Sequence, residues 1–403
     1  MIEQNERNIF KGIAQIFLQK LSEENISTPT EIQQLVIPQL LNKQSVVFSS
    51  QTGTGKTYAY LLPIVQTLYE NPNLTRVLIL SPTLELCAQI KTKADFLTAG
   101  LQNVNTALLV GSGNIKHQVE TLKSEKPQIL IGNTKRILQL SDQKKLNLHE
   151  INFVVLDEVD RLLSAELACD TKRILSFLRL QNQRRCSTNS VQTIYAACSA
   201  TISNKITASI KDIMQSDFVL TQSKKNEILQ QNITHIAIWC EARRKVDTLR
   251  SLLSALNPKR ALVFTDRSDD VQNIVTKLQY HKKNAAGLYS GMDKKLRRNV
   301  MRQFIDGSVN ILVSSDLAAR GLDIPGINYI IETTVPQNAD IYIHRAGRTA
   351  RAGKKGIMIS IGDEIEMHAL QSIEKKLKLV VYPKVLYGGK LCSPDDIEWD
   401  DEE

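Results

Sequence analysis

The sequence contains no CxxC pair, and its apolar runs stop well short of the ~20 residues needed to cross a bilayer. Each absence removes a class of reading. Cys87, Cys169, Cys186, Cys198, Cys240 and Cys392 are dispersed. Neither a disulfide framework nor a zinc site is indicated, and a reducing compartment fits. The opening "MIEQNERNIFKGIAQIF" lacks a basic segment followed by an apolar core, so no secretory signal is expected. His117, His149, His235, His281 and His368 have no metal-ligand spacing, and Trp239 and Trp399 stand alone.

What is present is the composition of an ordinary soluble globular protein: 42% hydrophobic, 23% charged, mean hydropathy −0.19. A length of 403 residues suggests two or three domains. The net charge is +9, although the last nine residues, "DDIEWDDEE", hold seven acids and no base. The rest of the chain is therefore strongly basic, which suits a polyanionic partner such as nucleic acid.

Short apolar runs alternate with helix-like stretches: "SVVFSS", "RVLILSP", "QILIG", "FVVLDE" and "TIYAACSAT". Runs of this kind are strands buried on both faces, and the helical segments between them imply a parallel sheet. A polar stretch, "TQSKKNEILQQN", interrupts the rhythm. It resumes with "RALVFTD", "NAAGLYS", "VNILVSSD", "YIIETT" and "GIMISIG". The expected organisation is a first α/β domain over 1–220, a linker over 221–232, a second α/β domain over 233–385 and a flexible acidic tail over 386–403. The polar segment 180–193 reads as a surface loop.

After the first strand comes "SSQTGTGKT" (49–57). Gly53, Gly55, Lys56 and Thr57 match the end of the phosphate-binding pattern GxxxxGK[ST], with Ser50 where its first Gly would stand. Small residues let successive backbone N–H groups turn onto phosphates, and the following helix N-terminus adds positive potential. Lys56 would reach the β- and γ-phosphates and Thr57 would ligate Mg²⁺. "FVVLDEVDRLL" drives an apolar strand into Asp157, Glu158 and Asp160. A strand-end Asp157 is a second magnesium ligand, and Glu158 could polarise the attacking water. Far downstream, Arg345, Arg348 and Arg351 recur every three residues beside His344. On a helix they would share a face, and an anion such as a γ-phosphate would relieve their repulsion.

In order, these motifs resemble the DEAD-box ATP-dependent RNA helicases over roughly residues 8–385, with DEVD standing for DEAD. The resemblance implies two tandem RecA-like α/β domains with parallel sheets and an interdomain nucleotide cleft for ATP and Mg²⁺. It implies that Gln33 reads adenine with Thr30 nearby, and that Gln51, Thr52, Gly53, Thr54, Gly55, Lys56 and Thr57 form the phosphate loop. Asp160 would pair with the coupling motif at Ser199 and Thr201. Asp323 would contact the ribose, with Arg320 at the interdomain side. Arg348 and Arg351 would act as arginine fingers, supported by His344 and Arg345. RNA contacts are implied for Pro82, Thr83, Gly111, Arg136, Arg297 and Ser315.

Several positions depart from the family pattern. Leu84 replaces Arg, "GNTKR" (132–136) replaces TPGR, Ser112 replaces the second Gly of a GG pair, and Lys294 replaces Gln. These changes fall on the RNA-facing side and leave the ATP-facing residues nearly complete. The expected function is ATP-dependent unwinding of short RNA duplexes through backbone contacts of low sequence specificity. The alternative is an ATP-dependent RNA clamp or assembly scaffold with weak unwinding. A monomer of the cytoplasm, or of the nucleus in a eukaryote, that is guided by a protein partner or acts with low specificity and has no membrane association, completes the expectation.

Overall fold

The structure is a computed structural model. It describes residue 10 and residues 12–397, apart from 51–53, 73–75, 187–192, 201, 215–216, 223–230, 320–323, 325 and 351–353. The side chains of 179–186, 205, 294, 317 and 319 are also outside the description. The chain divides into two compact units, Met1–Lys225 and Asn226–Glu403.

The first unit holds β1 (Val46–Ser49), β2 (Val77–Leu80), β3 (Thr106–Leu109), β4 (Ile129–Gly132), β5 (Phe153–Asp157), β6 (Ile194–Ser199) and β7 (Val219–Gln222). They form one sheet in the order β3-β4-β2-β5-β6-β1-β7, and every pairing is parallel. Strand periodicity splits the side chains between two apolar faces. Val46, Phe48, Val77 and Ile79 enter one core with the helices Glu31–Leu41, Lys56–Glu70 and Leu84–Thr98. Val47, Leu78 and Leu80 enter the other. Both faces are covered, so β1, β2, β4, β5 and β6 are buried along their whole length. Each buried Leu, Ile or Val contributes about 1.5–3 kcal/mol by leaving water.

The second unit contains β8 (Ile233–Trp239), β9 (Ala261–Thr265), β10 (Ala285–Leu288), β11 (Ile311–Ser315), β12 (Tyr329–Glu332), β13 (Gly356–Gly362) and β14 (Val381–Pro383). Its sheet order is β10-β11-β9-β12-β13-β8-β14, again parallel throughout. Counted from each unit's first strand, the two orders are the same permutation. The units therefore repeat one topology, although their sequences show no short repeat.

Three expectations change. Thr221 and Gln222 end β7, paired with Phe48 and Ser49, so the first sheet runs two residues into the expected linker. The helix Ala168–Cys186 continues through half of the expected 180–193 loop. The chain beyond 386 is also not simply a tail. β15 (Val385–Tyr387) and β16 (Lys390–Cys392) form an antiparallel hairpin, with Leu386 and Leu391 against the second unit's core and Ile397 only 9% exposed. Apolar residues every few positions give that segment something to bury, which its acidic end hides.

Candidate active site and nucleic-acid interface

In the first unit, the chemistry-bearing residues gather at the C-terminal ends of β1, β6 and β5, which are adjacent in the sheet. β1 leads into Ser50, which is 3% exposed and donates its N–H to the Ser199 carbonyl at 3.1 Å. Its hydroxyl lies 2.5 Å from the Thr54 hydroxyl, so the side chain standing in for the missing glycine helps close the loop. Gln51, Thr52 and Gly53 lie outside the described residues. Gly55 has φ +89°, and a Cβ there would come within 2.5 Å of Gln33 Nε2. The backbone angle favours glycine, and any side chain would also displace the Gln33 amide. Gly55 caps the helix Lys56–Glu70, whose first residue supplies the ammonium.

Lys56 Nζ donates to the Ser50 carbonyl at 2.5 Å. Burial pulls this ammonium below its ordinary value, and Cys198, Asp157, Glu158 and Asp160 oppose the shift. An incoming polyphosphate would favour the charged form further.

Asp157 is 7% exposed at the end of β5. Its Oδ2 accepts from the Tyr60 phenol at 3.0 Å, and its Oδ1 accepts from the Cys198 thiol and the Glu158 N–H, each at 3.0 Å. Burial, reinforced by Asp157, keeps both Tyr60 and Cys198 protonated well above their ordinary values, so both are donors. Glu158 turns the chain with φ +53°, uncommon for a residue with a side chain. That turn starts the short helix Val159–Leu162, where Asp160 accepts from Ser199 Oγ at 2.6 Å. The expected pairing of Asp160 with Ser199 is present; Thr201 lies outside the described residues.

Gln33 spends its amide on the scaffold. Its Oε1 accepts from the Thr30 N–H at 2.9 Å, one half of a capping box on the helix Glu31–Leu41. Its Nε2 donates to the Gly55 carbonyl at 3.2 Å. The glutamine motif and the phosphate loop are thus joined directly. The helix Gln15–Glu23 packs on the same core: Phe17 is fully buried and meets Tyr69 of the helix Lys56–Glu70 edge-on at 5.8 Å. Phe10 packs against the same cluster.

Farther along the same sheet edge, three helices begin after β2, β3 and β4. Thr83 caps Leu84–Thr98, Asn114 caps Ile115–Ser124 and Asn133 caps Thr134–Asp142, each side chain accepting a backbone N–H. Asn133 takes over the capping role although the family's Pro and Gly are absent. Leu84 packs against the apolar core, which accounts for a hydrophobic residue there. Arg136 is the main departure from its expected place. It is 7% exposed and donates to the carbonyls of Gly111 (3.1 Å) and Gly113 (3.2 and 3.3 Å) and to Gln118 Oε1 (2.8 Å). It holds the "VGSGN" turn and is not presented to a phosphate. Lys135 beside it is exposed. Gly111 lies on that turn, exposed; Pro82 and Thr83 are half-buried at the first of the helix starts.

In the second unit Arg345 and Arg348 do not share a helix. The helix Ala339–Ala346 ends before Arg348, with Gly347 at its C-cap, and Arg351 lies outside the described residues. Arg345 is 1% exposed and donates to carboxylates of its own unit and to the Thr334 carbonyl. It bonds Asp316 through Nε and Nη2, both at 2.7 Å, Glu332 at 2.8 Å and Asp266 at 3.1 Å. These acids stand at the ends of β9, β11 and β12, so Arg345 ties three strand ends together. Arg348 is 5% exposed, with Nε donating to the His344 carbonyl at 3.3 Å. His344 is half-buried on the helix before it. Ser315 ends β11, 4% exposed, and Arg297 Nη2 donates to the Ala318 carbonyl at 2.9 Å. Arg320 and Asp323 lie outside the described residues.

Family comparison agrees with this arrangement. The DEAD/DEAH box helicase model matches residues 30–209, and the helicase conserved C-terminal domain model matches residues 244–353. A relative from Bacillus cereus, the DEAD-box ATP-dependent RNA helicase CshC, is 33% identical over 93% of this chain and 92% of its own. The chain belongs to the DEAD-box helicase family. A second DEAD-box relative, CshB of Bacillus subtilis, is 32% identical over 86% of this chain and 77% of its own. The tandem RecA-like fold matches S. cerevisiae Dbp5 bound to RNA and ADP BeF3, with a TM-score of 0.80, 24% identity, and coverage of 92% of this chain and 94% of that one. It also matches Mss116p bound to single-stranded RNA and AMP-PNP, with a TM-score of 0.83, 23% identity, and coverage of 93% and 78%.

Sequence reading missed Tyr60, Cys198 and Gln118 as site residues. Tyr60 had one available signal: it lies four residues after Lys56 and so on the same helix face. Among the described residues, no helix is long and apolar enough to cross a membrane.

Proposed function

We propose that this DEAD-box protein hydrolyses ATP in response to RNA and uses the cycle to separate short RNA duplexes. The observation carrying this reading is the convergence of Lys56, Asp157, Glu158 and the Ser199–Asp160 pair at adjoining strand ends. Lys56 and the backbone of the phosphate loop, including Gln51, Thr52, Gly53, Thr54 and Gly55, take the phosphates. Gln33 and Thr30 would read the adenine, and Asp323 would meet the ribose. Glu158 orients the water that attacks the γ-phosphorus as the bond to the ADP oxygen breaks.

The donor set fits Mg²⁺. Magnesium prefers one or two protein oxygens together with substrate phosphates and water, not a closed protein cage. Thr57 and Asp157 provide such a pair. Among the described residues, no group of three or more His, Cys, Asp or Glu forms a cage. When bound, the ion neutralises charge on the β- and γ-phosphates.

RNA would lie along the helix starts at Thr83, Asn114 and Asn133, where backbone N–H groups and helix dipoles favour phosphate. Pro82, Gly111, Arg297 and Ser315 would border that path. Backbone contact needs little base reading. ATP would bind a closed arrangement of the units better than an open one, bringing Arg348 and Arg351 to the γ-phosphate. A monomer acting in the cytoplasm, directed by a protein partner, fits this reading.

Steady-state ATP hydrolysis with and without single-stranded RNA tests it. RNA should raise turnover, and Lys56→Ala should abolish it. ATP binding without any RNA-stimulated turnover would favour the clamp reading.

A further inference from the structure

A buried phenol from a different element holds the Asp157 carboxylate. Tyr60 is fully buried on the helix that begins at Lys56. The Tyr60 O–H donates to Asp157 Oδ2 at 3.0 Å. The Asp157 carboxylate is fixed from its other side as well. Its Oδ1 accepts from the fully buried Cys198 thiol and from the Glu158 N–H, each at 3.0 Å. An ionised carboxylate has about four acceptor directions. Oδ1 has used its share, and Oδ2 keeps one.

We infer that Tyr60 is a positioning residue for the cation carried by the nucleotide: its phenol on one oxygen and the Cys198 thiol on the other orient the Asp157 carboxylate that would meet the ion or its water. This inference rests on the magnesium–nucleotide reading proposed above. Partners that orient metal ligands typically govern affinity as the ligands themselves do. Tyr60 would therefore act on the metal-dependent part of nucleotide binding. It would leave the metal-independent part, made by Lys56 and the backbone, in place.

The test is the Kd of a fluorescent ADP for the full chain, measured in excess Mg²⁺ and in EDTA, for the wild type and Tyr60→Phe. Phenylalanine keeps the buried ring and removes the hydroxyl that holds Asp157. The expected result is a loss of about tenfold or more in the ratio of the two Kd values, with the EDTA value unchanged. A ratio equal to wild type would mean that Tyr60 only fills the core, and the inference would fall. Should Tyr60→Phe not fold, Cys198→Val reports on the same carboxylate from its other oxygen; a smaller loss in the same ratio supports the inference, and an unchanged ratio overturns it. A wild-type chain whose ADP affinity ignores Mg²⁺ would instead remove the magnesium–nucleotide reading, and the inference with it.

Discussion

Ser199 donates its hydroxyl to Asp160 at 2.6 Å, joining the end of β6 to the acidic turn after β5. Ser199 is also tied to the phosphate loop, since its carbonyl accepts the Ser50 N–H. One residue therefore links β1, β5 and β6 where the nucleotide would bind. Ser199→Ala should cost about 1.5–3 kcal/mol of stability, the usual worth of a hydrogen bond to a charged group. It should lower RNA-stimulated turnover and leave the ATP Kd unchanged, because Asp160 does not itself meet the phosphates. Parallel measurement of Kd and kcat separates these effects; an equal loss in both would place Ser199 in nucleotide binding.

Arg136 and Lys135 are neighbours with opposite expected behaviour. Arg136 is spent on the Gly111 and Gly113 carbonyls, whereas Lys135 is exposed. A phosphate contact releases counterions, so losing one changes the slope of log K against log salt by about 1. Lys135→Ala should show that change. Arg136→Gln should weaken RNA binding by loosening the turn, with the slope unaltered. A reduced slope for Arg136→Gln would return it to the role of a phosphate contact.

Arg345 is the hub of the second unit. Replacing it with Met would leave Glu332 buried without its counter-charge, a change that costs about 3–5 kcal/mol. Hydrogen exchange should rise first at β9, β11 and β12, whose ends the arginine joins. Unchanged protection there would show that the acids repack without it.

Glu332 carries a pH signature. Burial raises its carboxyl above the ordinary 4.5, with Arg345 and Ser360 opposing. The folded state thus holds the proton to higher pH than the unfolded chain. Its contribution is largest below the ordinary value and is lost as pH rises through the folded value. The stability of the wild type relative to Glu332→Gln should therefore fall as pH increases upward from 4.5. Denaturant melts at several pH values read this directly; a difference that grows with pH would reverse the sign.

Much of the fold and of the nucleotide site is legible in the amino-acid sequence itself. Buried parallel strands advertise themselves as continuous apolar runs, so β1, β2, β4, β5 and β6 stand out. The phosphate loop and DEVD follow because their chemistry needs fixed residue types at strand ends. Less legible are β3, β7 and β14. They are short strands at sheet edges, and the partners of β7 and β14 lie far away in sequence. The direction of a long side chain is hidden too. Nothing in "GNTKR" says that Arg136 turns inward, and nothing in "HRAGR" says that Arg345 finds acids in its own sheet. The order of motifs shows which residues gather, but tertiary packing decides which of them face the ligand.

Displacement of one strand from a short labelled RNA duplex by the full chain tests the central claim most directly. The account predicts strand release with ATP and none with ADP, and loss of release in Lys56→Ala. RNA-stimulated ATP hydrolysis without strand release from even the shortest stable duplex would contradict it.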